Sequence, residues 1–299
     1  MNNNALIKIT VIIPSYNEGV SIIKTIELLE TILVDSNFGY EIIVVNDGSV
    51  DKTVELLSEC KSNFILINHE YNQGYGASLK TGIRNSSNEI LCITDADGTY
   101  PHEKIPSLVT NLLENDLDMV IGARTGKNVQ IPVIRKPAKW FLSKLANWIT
   151  GEKIPDINSG LRVFKKSSFI PFQFIVPNGF SFTTTITLGM LLGGFEVKFM
   201  PIDYLQRLGK SKIRPIRDTL NFIKIILKLG LYFAPLKILM PISIGIFLFA
   251  LGCGVFTKVV YGELADVSTL IIAMTGFQVA IIALIAELIN HRLPNKYIK

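Results

Sequence analysis

The chain has 299 residues and a formal net charge of +5, and 48% of its residues are hydrophobic. This composition is too apolar for an ordinary soluble enzyme, and the length allows one large domain or two smaller ones. The basic balance suits anionic partners such as lipid head groups or phosphorylated substrates, but no nucleic-acid-reading motif accompanies it. The three cysteines lack metal-binding spacing and the N-terminus lacks signal-peptide character, so we expect a reducing compartment and no cleaved leader.

Apolar, β-branched runs alternate with helix-like stretches through the first 125 residues. This alternation predicts an α/β domain with a mostly parallel, Rossmann-like sheet that is covered by helices on both faces. In such sheets, ligands bind beyond the carboxyl ends of the strands. The predicted strands are residues 6–14, 41–47, 64–69, 89–97 and 119–124, and the predicted helices are residues 18–33, 51–60, 77–85, 104–115 and 135–149. Residues 180–204 indicate a helix, a Gly-Gly break and a final strand.

Two aspartates one residue apart, Asp95 and Asp97, stand at the end of the fourth predicted strand. Neighbouring carboxylates repel each other unless a cation lies between them. A D-x-D pair in this position can bind Mg²⁺ or Mn²⁺ and leave the other coordination positions to water and substrate phosphates. Such a metal would neutralise a departing diphosphate. The alternative is a solvated pair of loop acids.

Two other strand ends have residues that suit a nucleotide. In VIIPSYNEG, Pro14 ends a strand, Tyr16 could hold a flat ring, and Asn17 or Glu18 could instead only cap the next helix. In VVNDGSVDKT, Asp47 could accept hydrogen bonds from a base or a ribose. Taken singly, each motif favours ordinary turn chemistry over a nucleotide site.

The segment NQGYGASLKTG places Gly74 and Gly76 just before a predicted helix. Glycines there would let a ligand approach the backbone, and a helix N-terminus favours phosphate. The segment matches neither a Walker A loop nor the Gly-x-Gly-x-x-Gly spacing of dinucleotide folds. By itself it could be a tight turn.

The C-terminal third predicts membrane association. Helical spacing places Ile216, Leu220, Ile223, Leu227 and Leu231 on one helix face, with basic residues on another. This helix either packs on the core or lies at a lipid interface, and its place before two apolar runs favours the interface.

The two apolar runs, residues 238–257 and 267–286, each have the 20 residues needed to cross a bilayer. Their short connection predicts a hairpin, and the alternative is a pair of buried core helices. The basic C-terminal tail predicts that both termini and the large N-terminal domain lie in the cytoplasm. We therefore expect a catalytic domain over residues 1–213, an interfacial helix over residues 214–233 and a two-span anchor over residues 234–299.

Read together, VIIPSYNEG, VVNDGSVDKT, NQGYGASLKTG, ITDADGTYP, GAR and NSGLRVFKK resemble the family 2 glycosyltransferases with the GT-A fold. Within them, the chain resembles the polyprenyl-phosphate glycosyltransferases, the group that contains the dolichol-phosphate mannose synthases. The resemblance covers residues 6–215 with the order and spacing of the motifs kept, and the two C-terminal spans are similar to those of membrane-anchored members.

The resemblance implies a role for individual residues. Asp97 would hold the metal on the donor diphosphate, and Asp95 would contact the donor and the metal. The implied nucleotide-sugar pocket consists of Pro14, Tyr16, Glu18, Asp47, Gly74 and Asp95. The implied basic groups near the phosphates are Arg124, Arg135, Arg207 and Lys212, and the implied acceptor-side residues are Asp156, Ser159 and Arg162.

The chain departs from the family pattern at three places. Thr99 stands where many relatives have a glutamine, which affects a third metal contact. Residues 183–185 are threonines where relatives often have an acid after FSF. The Q-x-x-R-W motif of processive polysaccharide synthases is absent from the sequence, which argues against polymer synthesis.

The expected reaction is transfer of one sugar from a UDP- or GDP-linked hexose to a polyprenyl phosphate, with inversion and with Mg²⁺ or Mn²⁺ as cofactor. An ionised phosphate acceptor needs cations more than a general base. The three histidines are therefore expected to be structural or to lie on the surface. An alternative is a hydroxyl acceptor on a lipid or glycan, for which Asp156 is the candidate base. An inactive scaffold and a flippase-like module are further alternatives, and copies of the hairpin could form a homo-oligomer.

Overall fold

The computed structural model describes residues 6–126, 136–204, 215–262 and 267–292. Its centre is a seven-stranded sheet with the strand order β3-β2-β1-β4-β6-β5-β7. The strands are β1 (Lys8–Ser15), β2 (Gly39–Asn46), β3 (Ile65–Asn68), β4 (Ile90–Ile93), β5 (Met119–Arg124), β6 (Arg162–Lys165) and β7 (Val197–Ile202). The helices are α1 (Gly19–Asp35), α2 (Thr53–Glu59), α3 (Tyr75–Asn85), α4 (Ile105–Glu114), α5 (Lys136–Thr150), α6 (Lys166–Phe169), α7 (Phe182–Leu192), α8 (Pro215–Phe233), α9 (Pro235–Tyr261) and α10 (Val267–Arg292).

All predicted strands and helices form, and one strand was not predicted. β6 lies between β4 and β5 and runs antiparallel to both, while the other strand pairs are parallel. The sheet is therefore mixed but mostly parallel. β6 has only four residues and a basic residue at each end, so its sequence lacks the apolar run that marks the other strands.

The strands are buried on both faces, as a parallel sheet between helices requires. Alternate residues of β1 belong to two separate cores: Val11 lies with α1 and α4, and Ile12 lies with α3 and α7. In the sheet, β2 lies on one side of β1 and β4 lies on its other side. This arrangement creates a topological switch point beside the end of β1, where ligands of α/β folds bind.

A third cluster joins the sheet domain to the C-terminal helices. Ile226 and Leu229 of α8 are buried against α5, the end of α7 and the start of α9. The predicted apolar face of α8, which includes Leu220 and Leu231, does not pack on this cluster. Leu220 is 61% exposed and Leu231 is 44% exposed. α8 therefore has two apolar faces, of which one packs on the protein and one faces outward.

α9 and α10 form an antiparallel hairpin that contains both predicted apolar runs. Both helices are long and apolar enough to cross a membrane, and only 17% and 11% of their apolar windows are buried. Ser243 Oγ donates a hydrogen bond of 2.7 Å to the Gly276 carbonyl across the hairpin. Two buried core helices would have most of their surface covered, so the exposure agrees with a membrane protein.

Candidate active site

A cleft of about 410 Å³ opens where β1, β2, β4 and β5 end. It collects many of the side chains that the sequence had singled out at separate strand ends. The predicted residues that line it are Pro14, Tyr16, Glu18, Asp47, Gly74, Asp95, Asp97 and Arg124.

The loops after β1 and β2 are tied to each other. The Asn17 amide donates to Ser49 Oγ at 2.9 Å, and the Val50 amide donates to Asn17 Oδ1 at 2.9 Å. The Glu18 amide, at the N-terminus of α1, donates to Thr53 Oγ1 from α2. The cap of α1 thus comes from the neighbouring helix, and the predicted capping by Asn17 or Glu18 side chains is not what forms.

Asp47 is buried and holds the loop before α3. Its Oδ2 accepts from the Gly74 amide at 2.8 Å, and its Oδ1 accepts from the Gln73 amide at 2.9 Å. Oδ1 also lies 2.7 Å from Nδ1 of His69, whose Nε2 lies 3.0 Å from Thr81 Oγ1. Asp47 therefore shapes the cleft wall with at least three hydrogen bonds, and His69 is structural as expected.

Gly74, just before α3, and Gly76, in its first turn, make room for another segment of the protein rather than for a ligand. Gly74 has a φ of +104°, and a Cβ there would lie 2.5 Å from the Asn178 carbonyl oxygen. A Cβ at Gly76 would overlap the Pro177 carbonyl oxygen. The Ala77 amide at the start of α3 donates to the Asn178 carbonyl at 3.0 Å. The loop before α7 thus occupies the place that the sequence suggested for a phosphate, although Gly74 still lines the cleft.

Asp95 and Asp97 are both half-buried, and each is oriented by a hydroxyl group. Tyr75 donates from its hydroxyl to Asp95 Oδ1 at 2.9 Å. Burial, followed by the charge of Asp95, raises the pKa of Tyr75 well above its ordinary value, so this hydroxyl keeps its proton at neutral pH. Thr99 donates to Asp97 Oδ1 from its hydroxyl at 2.6 Å and from its amide at 3.2 Å. Thr99 thus positions Asp97 from behind.

The aspartate pair fits a hard divalent cation. Carboxylate oxygens are the ligands that Mg²⁺ and Mn²⁺ prefer, and both carboxylates line the cleft. No group of three or more His, Cys, Asp or Glu residues that could hold a metal occurs within the described ranges. A cation held here would therefore take its remaining ligands from water and substrate.

Arg124 lines the same cleft as the aspartates and is fixed by a buried carboxylate. Its Nε donates to Asp156 Oδ2 at 2.7 Å and its Nη2 donates to Oδ1 at 2.9 Å, and its backbone amide also donates to Oδ2. The Tyr204 ring lies 5.2 Å from Cζ of Arg124. Burial works to lower the pKa of Arg124, but Tyr100, Asp156 and Tyr204 together raise it well above its usual range. The guanidinium therefore stays charged and keeps three N–H groups that Asp156 does not bind.

The other residues implied on the acceptor side do not reach the cleft. Asp156 is 2% exposed and lies behind Arg124, and Ser159 Oγ is buried and donates to the Gly122 carbonyl. Arg162 is fully buried, and its guanidinium donates to the carbonyls of Ser159 and Thr183. Arg162 and Ser159 thus lie buried among protein partners, and the acceptor-side role that the resemblance implies for them stays a prediction. Burial lowers the pKa of Arg162 to about 10, which leaves it charged at neutral pH.

The predicted basic residues Arg135, Arg207 and Lys212 lie outside the described residues. Arg124 is thus the one predicted phosphate-binding cation whose position in the described part of the chain can be assigned to the cleft.

The threonines after FSF help to close the cleft without adding charge. Thr183 lines the cleft and donates from Oγ1 to Asn158 Oδ1 at 2.5 Å. Asn158 also lines the cleft, within the segment DINSGLR. Where relatives often have an acid, this chain therefore presents a hydroxyl, which is hydrogen-bonded to the Asn158 amide oxygen.

Apart from Tyr16, sequence reasoning missed the aromatic residues of the cleft. The Tyr75 ring stacks on Phe180 with centroids 5.5 Å apart, and the Tyr100 ring meets Tyr204 edge to face. Tyr100 OH accepts from the Gly160 amide at 2.6 Å, and a Cβ at Gly160 would lie 2.8 Å from an Asp95 oxygen. Tyr75 and Tyr100 stand inside the quoted motifs, but only the folded chain reveals which groups they touch.

The fold is one that structural comparison recognises. Glucosyl-3-phosphoglycerate synthase from Mycobacterium tuberculosis, in complex with Mn²⁺, UDP-glucose and phosphoglyceric acid, superposes with a TM-score of 0.58 at 18% identity. The match covers 75% of this chain and 79% of that one. The chain thus has the GT-A fold of nucleotide-sugar-dependent glycosyltransferases.

The chain belongs to glycosyl transferase family 2, whose profile matches residues 10–171. A low-salt glycan biosynthesis hexosyltransferase, Agl6, from Haloferax volcanii is 26% identical over 73% of this chain and 53% of the relative. A dolichyl-phosphate hexose transferase from the same organism is 25% identical over 69% of this chain and 87% of the relative. An undecaprenyl-phosphate 4-deoxy-4-formamido-L-arabinose transferase from Yersinia pestis is 30% identical over 61% and 59%. The chain spans little more than half of the first and third of these relatives.

Gly76→Ala should destabilise the catalytic domain, because the new methyl group must displace the backbone of residues 177–179. Overpacking of this kind costs about 1–3 kcal/mol. The measurement is thermal unfolding of the purified protein in detergent. Gly179→Ala is the matched control, since a Cβ there meets nothing within 4 Å. Equal melting temperatures for the two variants would show that residues 177–179 do not pack tightly against Gly76.

Proposed function

We propose that this chain transfers a single sugar from a nucleoside diphosphate sugar to a polyprenyl phosphate, with inversion at the anomeric carbon. The observation that carries the proposal is one cleft that combines Asp95 and Asp97 with an arginine, Arg124, held by a buried carboxylate. Membership of family 2 supports glycosyl transfer. The names of two relatives, which specify dolichyl phosphate and undecaprenyl phosphate, support a lipid phosphate as the acceptor.

The donor is a UDP- or GDP-linked hexose in this proposal. Its nucleoside lies beside Pro14, Tyr16 and Glu18, against the wall that Asp47 holds in place. Asp97, with Asp95, holds Mg²⁺ or Mn²⁺, and this cation neutralises charge on the departing diphosphate. Tyr75 orients Asp95 through its hydrogen bond, so the donor meets a fixed carboxylate.

The acceptor is an anion that needs positioning rather than deprotonation. A phosphate monoester has a second pKa of about 6, so its attacking oxygen is already ionised at neutral pH. Arg124 offers its remaining N–H groups to that phosphate, in a site where charge-assisted hydrogen bonds are strong. The resemblance implies that Arg135, Arg207 and Lys212, which lie outside the described residues, are further cations for the phosphates. The neutral Thr183, at the position where relatives often have an acid, suits an acceptor that requires no base.

The alternative hydroxyl acceptor needs a general base, and the candidate Asp156 is poorly suited to that task. Its two oxygens are bound by the Arg124 guanidinium, and its side chain is only 2% exposed. A base must reach the proton that it abstracts. The burial and pairing of Asp156 therefore favour the phosphate acceptor.

The C-terminal helices would bring the cleft to the bilayer. The outward leucines of α8, Leu220, Leu227 and Leu231, are flanked by exposed Lys224 and Lys228, which suits an anionic lipid surface. We propose that α9 and α10 span the membrane with the catalytic domain and both termini in the cytoplasm. Copies of the chain could also associate through the hairpin, which the mass of the detergent-solubilised protein would reveal.

Orientation is tested by cysteine accessibility in intact cells. A cysteine introduced at Val259, near the outer end of α9, should react with a membrane-impermeant maleimide from outside. A cysteine at Lys61, on the catalytic domain, should react only after permeabilisation. Labelling of position 61 in intact cells would overturn the cytoplasmic orientation and, with it, access to cytoplasmic nucleotide sugars.

The metal role is tested by a graded pair of variants. Asp97→Asn should lower transfer by more than about 100-fold, because it removes the ligand charge. Thr99→Val removes only the hydroxyl that orients Asp97 and should raise the Mn²⁺ concentration for half-maximal rate by about 10-fold. Both variants should fold and remain in the membrane fraction. Full activity of Asp97→Asn, or of the wild type in excess EDTA, would contradict the proposal.

The acceptor proposal is tested with a polyprenyl phosphate and the matching polyprenol. Transfer to the phosphate should decline as the pH falls through about 6, where the acceptor gains a proton. Arg124→Ala should lower that transfer roughly 10- to 150-fold, the effect of losing a charged hydrogen bond. Lys165→Ala removes a cation paired with Asp116 at the opposite edge of the sheet and should have no effect. Equal rates for the alcohol and the phosphate would replace this proposal with the hydroxyl acceptor.

A further inference from the structure

The junction between the catalytic domain and the hairpin is short, and several hydrogen bonds from other helices hold it. α8 ends at Phe233 and α9 begins at Pro235, so Ala234 is the only residue between them. We call residues 233–237 the elbow. A one-residue connection sets the direction of α9 relative to α8, provided that neighbouring groups hold it in one conformation.

Two polar residues near the end of α10 hold the elbow. Glu287 Oε2 accepts from the Leu236 amide at 3.2 Å, and Asn290 Nδ2 donates to the Phe233 carbonyl at 2.8 Å. The first satisfies an amide at the N-terminus of α9, where an acidic group also interacts favourably with the helix dipole. The second satisfies a carbonyl at the C-terminus of α8. Glu287 and Asn290 are three residues apart, so they lie on one face of α10.

The same elbow contacts the catalytic domain. Lys237 Nζ donates to the Ile149 carbonyl at 3.1 Å, at the C-terminal end of α5. Gly230 of α8 allows close packing, because a Cβ there would lie 2.5 Å from Ile238 and 3.1 Å from Ile149. α5 and α8 in turn pack on α7, which begins beside Thr183 in the cleft wall. Rigid contacts therefore lead from the hairpin to the cleft.

We infer that Glu287 and Asn290 are positioning residues that lock the elbow and so fix the cleft relative to the bilayer. The inference rests on the proposed function, in which the acceptor phosphate is confined to the head-group layer. A phosphate on a membrane-embedded chain can meet Arg124 only if the cleft stands at the right height and angle. Misplacement of reacting groups by about 1 Å can lower a rate by about 100-fold.

The activity test compares two acceptors that differ in their confinement. One is a long-chain polyprenyl phosphate in phospholipid vesicles, and the other is a phosphate with two isoprene units, free in solution. The variant Glu287→Ala/Asn290→Ala should lose at least about 10-fold in kcat/KM with the vesicle acceptor. It should stay within about twofold of wild type with the soluble acceptor, because that acceptor can enter the cleft whatever the height and angle of the cleft above the bilayer.

Two control variants separate positioning from general damage. Ser243→Ala removes the hydrogen bond to Gly276 inside the hairpin but leaves the elbow intact, so both acceptors should react as with wild type. The single variant Glu287→Gln, with Asn290 unchanged, keeps an oxygen acceptor for the Leu236 amide. It should therefore show more activity with the vesicle acceptor than the double variant does. Parallel losses with both acceptors, or no loss with either, would overturn the inference.

A second measurement does not depend on turnover. Spin labels at Lys61→Cys and Val259→Cys, in a chain whose native cysteines are replaced, report the distance between the catalytic domain and α9 by double electron–electron resonance. The distribution should be narrow in the parent and Ser243→Ala proteins and broad in Glu287→Ala/Asn290→Ala. An unchanged width would overturn the inference even in an active enzyme. A broadened width in a protein that transfers no sugar would instead support the elbow and reject the proposed function.

Discussion

Arg124 and Asp156 form the ion pair on which the electrostatics of the cleft depend. The carboxylate is 2% exposed and binds the guanidinium through both oxygens, so its negative charge has been removed from water. Removing one partner of such a pair costs about 3–5 kcal/mol, because the other charge is left buried alone. The pair therefore keeps Arg124 charged and in one orientation. The cleft therefore contains both a fixed cation and the two carboxylates of Asp95 and Asp97.

This combination of charges explains what the cleft can do. A divalent cation on the aspartates and an arginine in the same cleft would stabilise a diphosphate leaving group and an anionic acceptor in the same small space. The acids of the cleft are already engaged by protein donors: Asp47 by loop amides, Asp95 by Tyr75 and Asp97 by Thr99. His102 is likewise buried, and this burial lowers its pKa to about 4. Its Nε2 lies 3.0 Å from Thr94 Oγ1. Binding and orientation, more than proton transfer, are what these residues can supply.

Much of this architecture could be predicted from the sequence. Apolar runs and turn residues identified the parallel strands, and strand ends in an α/β sheet converge, so Asp47, Asp95 and Arg124 could be expected in one cleft. β6 could not be found in this way, because its four residues carry a basic residue at each end. The burial of Arg162 could not be predicted for a related reason: arginine is seldom fully buried, and its partners, the Ser159 and Thr183 carbonyls and Thr187 Oγ1, come together only in the folded chain.

Other features depended on contacts between distant segments. Gly74 and Gly76 read as a phosphate loop, yet the space before them is filled by residues 177–179, more than 90 positions later in the chain. The leucine face of α8 was visible in the helical spacing, but the second face that packs through Ile226 and Leu229 was not. The elbow was equally hidden, since Glu287 and Asn290 lie about 50 residues from the backbone groups that they bind. Periodicity reports one helix or strand at a time and contains no information on such partners.

The central claim is that a bond forms between the anomeric carbon of one sugar and an oxygen of a lipid phosphate. Phosphorus-31 NMR of the acceptor, recorded across a pH series before and after turnover with the donor, observes that phosphate directly. Before turnover, the monoester signal should titrate with a pKa of about 6. After turnover, a phosphodiester signal that no longer titrates should replace it, in proportion to the sugar transferred. A monoester that still titrates after sugar has become attached to the lipid would contradict the account.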